Sequence, residues 1–324
     1  MVWIARVVGA LFVLALVLVA GFRIAALTRE DQALQAVLPP EGQLVETSTG
    51  GIFVQSAGPE DGQPVLFAHG TGAWSGLWRP VLDRIGAEGY RAIGFDLPPF
   101  GFSARDPEGA YGRVRQAERI VALVDALEVA PLVVAHSYGA GPAMEAVMRA
   151  PERFAGIVVV DGALGLGSHE EPGSLPVWLR SKMLREALVA LTATNPLLTR
   201  TLLTPLIHRD DAATDAVIEV LQRPMMRQGS TEAFAEWLPF LLVPPVDALS
   251  TRAESYSALE VPVIYLWGDR DTVTPLAQGE ELAALHPDAR LVVLEDVGHI
   301  PQIEDEAGFT RALSEALETL APRN

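Results

Sequence analysis

Hydrophobic and polar positions follow a regular alternation along most of this chain. From residue 64 onward, short apolar runs rich in β-branched residues are followed by stretches with the periodicity of amphipathic helices. The runs that predict strands are PVLFAH, YRAIGFD, LVVAHS, GIVVVDG, VPVIYLWGD and LVVLEDVGH. The helical stretches lie near residues 77–86, 113–127, 138–149 and 278–285, and a last one ends near residue 320. This alternation predicts βαβ units, and therefore an α/β fold with a doubly wound, mostly parallel sheet.

Two segments depart from that alternation. Ahead of it, LVETSTGGIFVQSAG contains two β-like runs around a Thr-Gly-Gly turn, which predicts a hairpin. Residues 163–257 contain many prolines and amphipathic stretches such as WLRSKMLREALVAL and STEAFAEWLPFLL, but no predicted strand. We interpret this segment as a helical cap inserted into the sheet domain. The core of that domain is then expected in two parts, residues 43–162 and 258–324.

The first residues of the chain form a separate apolar region. Residues 7–22 are uncharged and strongly apolar, with Arg6 before them and Arg23 after them. If the arginines snorkel towards the headgroups, the run reaches about 20 residues, the length that spans a bilayer. We predict that residues 1–27 are an uncleaved transmembrane anchor, that 28–42 are a linker, and that the rest of the chain is extracytoplasmic. The alternatives are a signal peptide removed from a secreted protein and a buried helix.

Composition excludes several classes of function. The chain has 24 Lys and Arg against 41 Asp and Glu, a formal charge of −17 that repels nucleic acid. It has no Cys, which excludes disulfides, thiolate metal sites and a cysteine nucleophile. His169, His208 and His286 show no metal-ligand spacing with carboxylates or with one another. We therefore predict no nucleic-acid partner, no metal and no cofactor, and the sequence does not indicate an oligomeric state.

Polar residues suited to catalysis follow the predicted strands. HGTG, residues 69–72, follows the first parallel strand, and Ser137 follows the third. GDRD, residues 268–271, follows the strand after the cap, and Gly298-His299 follows the last strand. Sites in open α/β sheets form at the carboxyl ends of the strands. A serine, an acid and a histidine in this order, each in a strand-end loop, predict a nucleophilic serine with its base and orienting acid.

The residues around Ser137 fit a sharp turn from strand to helix. Such a turn brings strand and helix close together, so the positions two before and two after the serine must be small. Here they are Ala135 and Gly139. The backbone N–H of Tyr138, at the start of the following helix, and that of Thr71 are the predicted donors to an oxyanion.

Five stretches together resemble one known family: LFAHGTGAW, IGFDLPPFGFSAR, VVAHSYGAG, LWGDRDTVTP and VGHIPQIEDEAGF. In order and approximate spacing they are similar to the α/β-hydrolase fold superfamily, in its serine-nucleophile branch with a helical cap. The resemblance runs from about residue 43 to the C-terminus and implies esterase-like or lipase-like chemistry. The usual Gly-x-Ser-x-Gly motif here has Ala135 in its first place. The family's Gly-x-x-Asp motif, with a proline shortly after it, implies Asp271 as the acid, with Asp161 and Asp269 as alternatives.

The sequence also predicts roles for residues outside the catalytic three. Three tryptophans are candidates to line an apolar substrate pocket: Trp74, Trp178 and Trp237. Asp96 and His69 are expected to order their loops, and His136 is expected to pack in the interior.

These residues predict an enzyme. We expect Ser137 to attack a carboxylic ester with a hydrophobic portion, His299 to transfer the proton and Asp271 to orient His299, through an acyl-serine intermediate. The predicted partners are this small apolar substrate and a membrane, the latter through the N-terminal helix.

Other activities remain open for the same residues. They could hydrolyse an amide, a lactone or a carbon–carbon bond in a diketone, or transfer an acyl group to an alcohol. Serine at position 137 argues against dehalogenase and epoxide-hydrolase chemistry, because those relatives have aspartate there. From another class, the alternative is a non-catalytic, membrane-tethered binding protein, in which Ser137 would not react with a serine-directed probe.

Overall fold

The computed structural model describes residues 2–168, 170, 173–286 and 288–321, and its centre is an eight-stranded sheet. The strands are β1 (Gly42–Thr47), β2 (Gly50–Ala57), β3 (Pro64–Ala68), β4 (Arg91–Phe95), β5 (Leu132–His136), β6 (Gly156–Val160), β7 (Val263–Gly268) and β8 (Arg290–Leu294). Their order across the sheet is β1-β2-β4-β3-β5-β6-β7-β8. β2 pairs antiparallel with β1 and β4, and all the other pairs are parallel, which confirms the predicted mostly parallel sheet.

The described residues also form helices at both faces and beyond the sheet. They are α1 (Val2–Arg29), α2 (Leu34–Val37), α3 (Arg79–Ala87), α4 (Arg113–Leu127), α5 (Ala140–Arg149), α6 (Lys182–Leu191), α7 (Thr199–Leu203), α8 (Asp215–Gln222), α9 (Ser230–Leu242), α10 (Ala253–Ser257), α11 (Leu276–Leu285), α12 (Pro301–Glu304) and α13 (Glu306–Leu320).

The sheet is covered on both faces, as a doubly wound fold requires. On one face, Leu123 of α4, Met144 of α5 and Leu282 of α11 belong to a single buried cluster. On the other face, Leu82 of α3 and Leu317 of α13 belong to a second cluster. Every residue of β5 and β6 is buried, because central parallel strands have helices on both sides and therefore read as continuous apolar runs.

The hairpin predicted before the alternation is formed by β1 and β2. Their turn is at Ser48-Thr49, and Gly50 follows it with φ of +109°, a backbone conformation that favours glycine. The Thr47 hydroxyl donates to the Gly50 carbonyl at 2.7 Å and closes the turn.

The chain between β6 and β7, residues 161–262, is called the helical segment below. Its described residues contain helices α6 to α10 and short 3₁₀ turns, with no strand. The stretch STEAFAEWLPFLL coincides with α9. The predicted helix beginning at Trp178 is instead a 3₁₀ turn, Val177–Arg180, and α6 begins only after Ser181, whose ψ of 118° is extended rather than helical. The division of the domain around a cap at 163–257 stays a prediction.

Helix α1 is attached to the helical segment by its C-terminal end. Ala26 is fully buried there, and Arg23 forms an ion pair with Glu186 of α6 at 2.8 Å. Arg29 donates to the Thr194 carbonyl at 2.9 Å. Residues 6–29 are long and apolar enough to cross a membrane, a test that a signal sequence also passes. An 18-residue apolar window of this helix has none of its residues buried in the described structure, which argues against the alternative of a core helix.

Candidate active site

Ser137 stands at a sharp turn between β5 and α5. Its φ is +51°, which is strained for a residue with a side chain and is characteristic of functional positions. The chain enters α5 through a 3₁₀ turn, Ser137–Gly139, so the α-helix begins at Ala140 rather than at the predicted Tyr138. A Cβ at Gly139 would lie 2.5 Å from the His69 carbonyl oxygen, so this position requires glycine. The turn fixes the serine hydroxyl at the carboxyl end of the sheet.

The structure brings Ser137, His299 and Asp271 into one hydrogen-bonded chain. His299 Nε2 lies 2.8 Å from Ser137 Oγ, and His299 Nδ1 lies 2.8 Å from Asp271 Oδ2. A carboxylate can only accept, so Nδ1 carries the proton of the neutral ring and Nε2 is free to accept the serine proton. All three residues are buried, with 8% of Ser137 exposed. This arrangement can activate a hydroxyl nucleophile.

Asp271 is held as an anion by the loop after β7. The amides of Val273 and Thr274 donate to Oδ1 at 2.7 and 3.0 Å, and the Thr274 hydroxyl donates to Oδ2 at 2.7 Å. Burial alone would raise the pKa of Asp271, but the hydrogen bonds from His299 and Thr274 outweigh it and lower that pKa. The rival Asp269 accepts instead from the amide of Val297 at 3.3 Å.

The other rival acid, Asp161, lies beside Asp271 rather than against His299. It follows β6 with φ of +43°, and its Oδ1 accepts the amide of Gly268 at 2.8 Å. Its Oδ2 has no hydrogen-bond donor among the described residues. Burial raises the pKa of Asp161 well above its ordinary value, and the nearby charge of Asp271 raises it further. Both causes favour the neutral form of Asp161, because a second buried anion beside Asp271 is unfavourable.

Glu304 orders the loop that carries His299, and sequence reasoning missed it. Its buried carboxylate accepts the amides of Gly298 at 3.0 Å and of Ile300 at 2.9 Å, the two neighbours of His299. It also accepts the amide of His208 at 2.7 Å, which ties the helical segment to the same loop. A charged acceptor of several amides is a strong restraint. The stretch PQIEDE offered no signal that distinguishes this glutamate from its neighbours.

His136 was predicted to pack in the interior, and it also holds the backbone of His299. Its Nε2 donates to the His299 carbonyl oxygen at 2.7 Å, and its ring packs edge-on against Trp78. Burial lowers the pKa of His136 to about 3, so the ring is neutral and Nε2–H is a fixed donor. His299 is thus restrained at its ring and at its backbone.

The loop after β3 lies directly against Ser137. A Cβ at Gly70 would lie 3.1 Å from Ser137 Cβ. His69 Nδ1 donates to the Gly70 carbonyl at 2.8 Å, and its Nε2 accepts the amide of Leu97 at 3.0 Å. Burial lowers the pKa of His69 to about 4, so this neutral ring braces the loop. Thr71 comes next in this loop, and its role and that of the Tyr138 amide as oxyanion donors stay predictions.

Asp96 orders the neighbouring loop after β4. Its two carboxylate oxygens accept the amides of Ser75 and Phe102, each at 2.7 Å. Burial raises the pKa of Asp96 to about 6, and these hydrogen bonds partly offset that rise. The carboxylate connects two loops on the same side of the sheet and does not contact His299.

Of the three tryptophans predicted to line a pocket, Trp237 lies next to the serine turn. Its ring centroid is 5.4 Å from that of Tyr138 and 4.8 Å from that of Phe100, both nearly edge-on. Phe234 packs on Phe100 at 5.0 Å. These four rings join the helical segment to the residue that follows Ser137, and they form an apolar, aromatic wall there.

The other two tryptophans lie elsewhere. Trp74 packs between Phe53 and Phe102, and its Nε1 donates to the Val220 carbonyl at 2.6 Å. It belongs to a separate buried cluster. Trp178 is 54% exposed on the outer surface of the helical segment. Sequence alone could not separate these positions, because all three residues are equally apolar and are placed by tertiary packing.

The described part of the chain contains no group of three His, Cys, Asp or Glu side chains that could hold a metal ion. Of the histidines considered for such a site, His208 bonds to Asp296 and His286 bonds to the Leu259 carbonyl. His169 lies outside the described residues.

Comparisons with known proteins show which family this chain is similar to. A family model described as alpha/beta hydrolase fold matches residues 63–306. The chain is 28% identical to a 2-hydroxymuconate semialdehyde hydrolase of Pseudomonas putida, over 79% of this chain and 88% of that protein. It is 25% identical to Lipase 3 of a Moraxella strain, over 79% of each chain. In structure it is similar to a membrane phospholipase A, with a TM-score of 0.67, 21% identity, and coverage of 98% of this chain and 96% of the other.

Proposed function

Because the chain belongs to the α/β hydrolase fold family, we propose that it is a serine hydrolase that cleaves a carboxylic ester with a hydrophobic portion. One observation carries the proposal: the hydrogen-bonded chain from Ser137 through His299 to Asp271, with Ser137 held at a positive φ. A serine hydroxyl is a weak nucleophile on its own and becomes effective when a positioned base removes its proton.

The proposed reaction has two halves. Ser137 Oγ attacks the ester carbonyl carbon while His299 Nε2 takes the hydroxyl proton, and Asp271 stabilises the imidazolium that results. The amides of Thr71 and Tyr138 donate to the oxyanion. His299 then gives the proton to the leaving alcohol, which leaves an acyl-serine. Water, deprotonated by His299, attacks the acyl carbon, and collapse of this second tetrahedral intermediate releases the acid and returns the proton to Ser137.

The aromatic wall supports a hydrophobic substrate. Trp237, Phe100 and Phe234 are buried in one cluster against Tyr138, so the residue that follows the nucleophile has apolar neighbours. An acyl chain or aromatic group gains free energy on transfer to such a surface, about 0.8 kcal/mol for each buried CH₂. No cofactor takes part in this mechanism.

The relatives favour one further candidate, cleavage of a carbon–carbon bond. A 2-hydroxymuconate semialdehyde hydrolase is among the similar proteins, and its name states a different substrate from that of Lipase 3. The same serine, histidine and acid can serve both reactions, and the fold does not select between them.

We also propose that α1 anchors the protein to a membrane, with the catalytic domain on the extracytoplasmic side. The apolar window of α1 is not covered by the rest of the chain. The structural likeness to a membrane phospholipase A extends over 98% of this chain and so includes most of α1.

The test of the hydrolase proposal uses the full chain in mild detergent. Wild type and Ser137→Ala are treated with a fluorophosphonate and analysed by intact mass, then assayed on p-nitrophenyl esters of increasing chain length and on a vinylogous diketone. We expect labelling and ester turnover in the wild type, with both lost in the variant. A folded wild type that neither labels nor hydrolyses would favour the binding-protein alternative, and turnover of the diketone alone would favour carbon–carbon cleavage.

A further inference from the structure

Helices α1 and α6 run side by side in the same direction. Arg23 of α1 pairs with Glu186 at 2.8 Å, and Arg29, further along α1, donates to the carbonyl of Thr194, further along the chain from α6. The N-terminal end of α6, at Lys182, therefore points the same way as the apolar part of α1. Lys182 precedes Glu186 by one helical turn, so α6 begins about 6 Å from the level of Arg23, at 1.5 Å per residue.

Helix α9 runs antiparallel to α6. Near its N-terminal end, the Thr231 amide donates to Glu30 at 3.0 Å and the Thr231 hydroxyl lies 2.7 Å from that of Thr194. Further along α9, Glu236 accepts from Lys182 at 3.3 Å. The C-terminal end of α9 therefore lies beside the N-terminal end of α6, on the side towards which the apolar part of α1 extends.

Large apolar side chains are exposed at this end of the helical segment. They come from the 3₁₀ turn before α6, from the first turn of α6 and from the last turn of α9, and we call them the apolar edge: Val177, Trp178, Met183, Phe240, Leu241 and Leu242. Met183 is 60% exposed and Leu241 is 46% exposed. Exposed large apolar side chains concentrated at one end of a segment indicate an interaction site.

The occupant that fits this surface is a lipid bilayer. The edge lies on the side towards which the apolar window of α1 extends, and its 3₁₀ turn holds Trp178 and Arg180, residue types enriched at membrane interfaces. Lys182, in the first turn of α6, is paired with Glu232 and Glu236. The net charge of −17 opposes attraction to anionic lipids, so apolar burial must provide the binding.

We propose that the apolar edge lies in the interface of the same bilayer that α1 crosses, and that it delivers bilayer-dissolved esters to the site. The inference rests on the proposed anchor and the proposed hydrolase. Leu241 follows Trp237 by four residues in α9, so the two lie on one face of that helix. Trp237 contacts Tyr138, the residue after Ser137. One apolar face of α9 therefore connects the bilayer to the nucleophile.

The absence of cysteine allows a direct test on the full chain. Single variants Met183→Cys, Leu241→Cys and Leu197→Cys carry an environment-sensitive fluorophore in phosphatidylcholine vesicles, with doxyl lipids as quenchers. Leu197 is the matched control, because it is 86% exposed but lies beyond the other end of α6. Leu14→Cys reports insertion of α1, and fluorophosphonate labelling of Ser137 in the same samples reports the hydrolase proposal separately.

Each outcome decides the proposal. Quenching at positions 14, 183 and 241, with none at 197, supports it. Quenching at position 14 without quenching at 183 and 241 overturns the apolar edge and leaves the anchor standing. No quenching at position 14, or equal quenching at 197, also overturns the proposal. The labelling result does not depend on any of these.

A kinetic test addresses delivery of substrate. We expect the double variant Met183→Asp, Leu241→Asp to hydrolyse a long-chain ester dissolved in vesicles several-fold more slowly, because the substitutions remove apolar area that would be buried in the interface. Turnover of a short, water-soluble ester should not change, and neither should either rate in Leu197→Asp. Equal losses on both substrates would point to damage at the site and contradict delivery from the bilayer.

Discussion

The strand ends and the helical segment contribute to the same site in different ways. At the strand ends, the side chains of Ser137, His299 and Asp271 are all buried and are joined by hydrogen bonds. The helical segment instead supplies apolar surface: on one face of α9, Trp237 is buried against Tyr138, and Leu241, one turn further on, is 46% exposed. Catalysis requires reacting groups held at fixed positions, whereas binding of an apolar group depends on the apolar surface area that it buries. The two regions can therefore be disturbed separately.

Asp271→Asn should produce the largest effect. The amide can donate to His299 Nδ1 and would favour the tautomer that cannot accept the Ser137 proton, so we expect kcat to fall on the order of 10⁴-fold. Asp269→Asn, in the same loop, is the matched control and should retain most of the activity. Steady-state rates on a p-nitrophenyl ester measure both variants. Equal losses in the two would mean that the loop, rather than the Asp271 carboxylate, is what matters.

Glu304→Gln should give an intermediate effect on both stability and rate. The glutamine keeps one acceptor oxygen but loses the charge and places an amide near the N–H groups of Gly298 and Ile300, at a cost of about 2 kcal/mol in the free energy of unfolding. We expect kcat to fall while KM changes little, because the loop positions His299 rather than the substrate. Denaturant unfolding and steady-state kinetics provide the two readouts. Glu306→Gln, two residues on and exposed, should change neither.

Asp161→Asn should have the smallest effect and one that depends on pH. Burial raises the pKa of Asp161, so its stabilising contribution is complete below the unfolded pKa of about 3.9 and is lost as pH rises through the folded pKa. Asparagine resembles the neutral acid and does not ionise. Thermal unfolding at several pH values should therefore show the variant gaining stability relative to the wild type as pH rises. A constant difference across the range would mean that Asp161 is ionised in the folded protein.

Most of the proposed catalytic residues could be predicted from their positions directly after predicted strands. Parallel strands bring their carboxyl ends to one edge, so Ser137, Asp271 and His299 were expected to meet although they are far apart in the sequence. The choice of Asp271 over Asp161 came from a motif resemblance, and the structure gives its physical counterpart: Asp271 bonds to the imidazole, and Asp161 bonds to the Gly268 amide. No local sequence pattern indicates the roles of Glu304 and His136, because each side chain hydrogen-bonds to backbone groups that folding brings near it.

The sequence by itself determined the order of strands and helices, the sharp turn at Ser137 and the apolar character of α1, because periodicity, residue size and hydrophobicity are local properties. Tertiary structure decided which tryptophan reaches the site, which amides Glu304 binds, and where the apolar edge lies relative to α1. Those outcomes depend on how α6 and α9 pack on α1 and over the sheet. Contacts between distant segments are set by packing of the whole chain, which no window of the sequence contains.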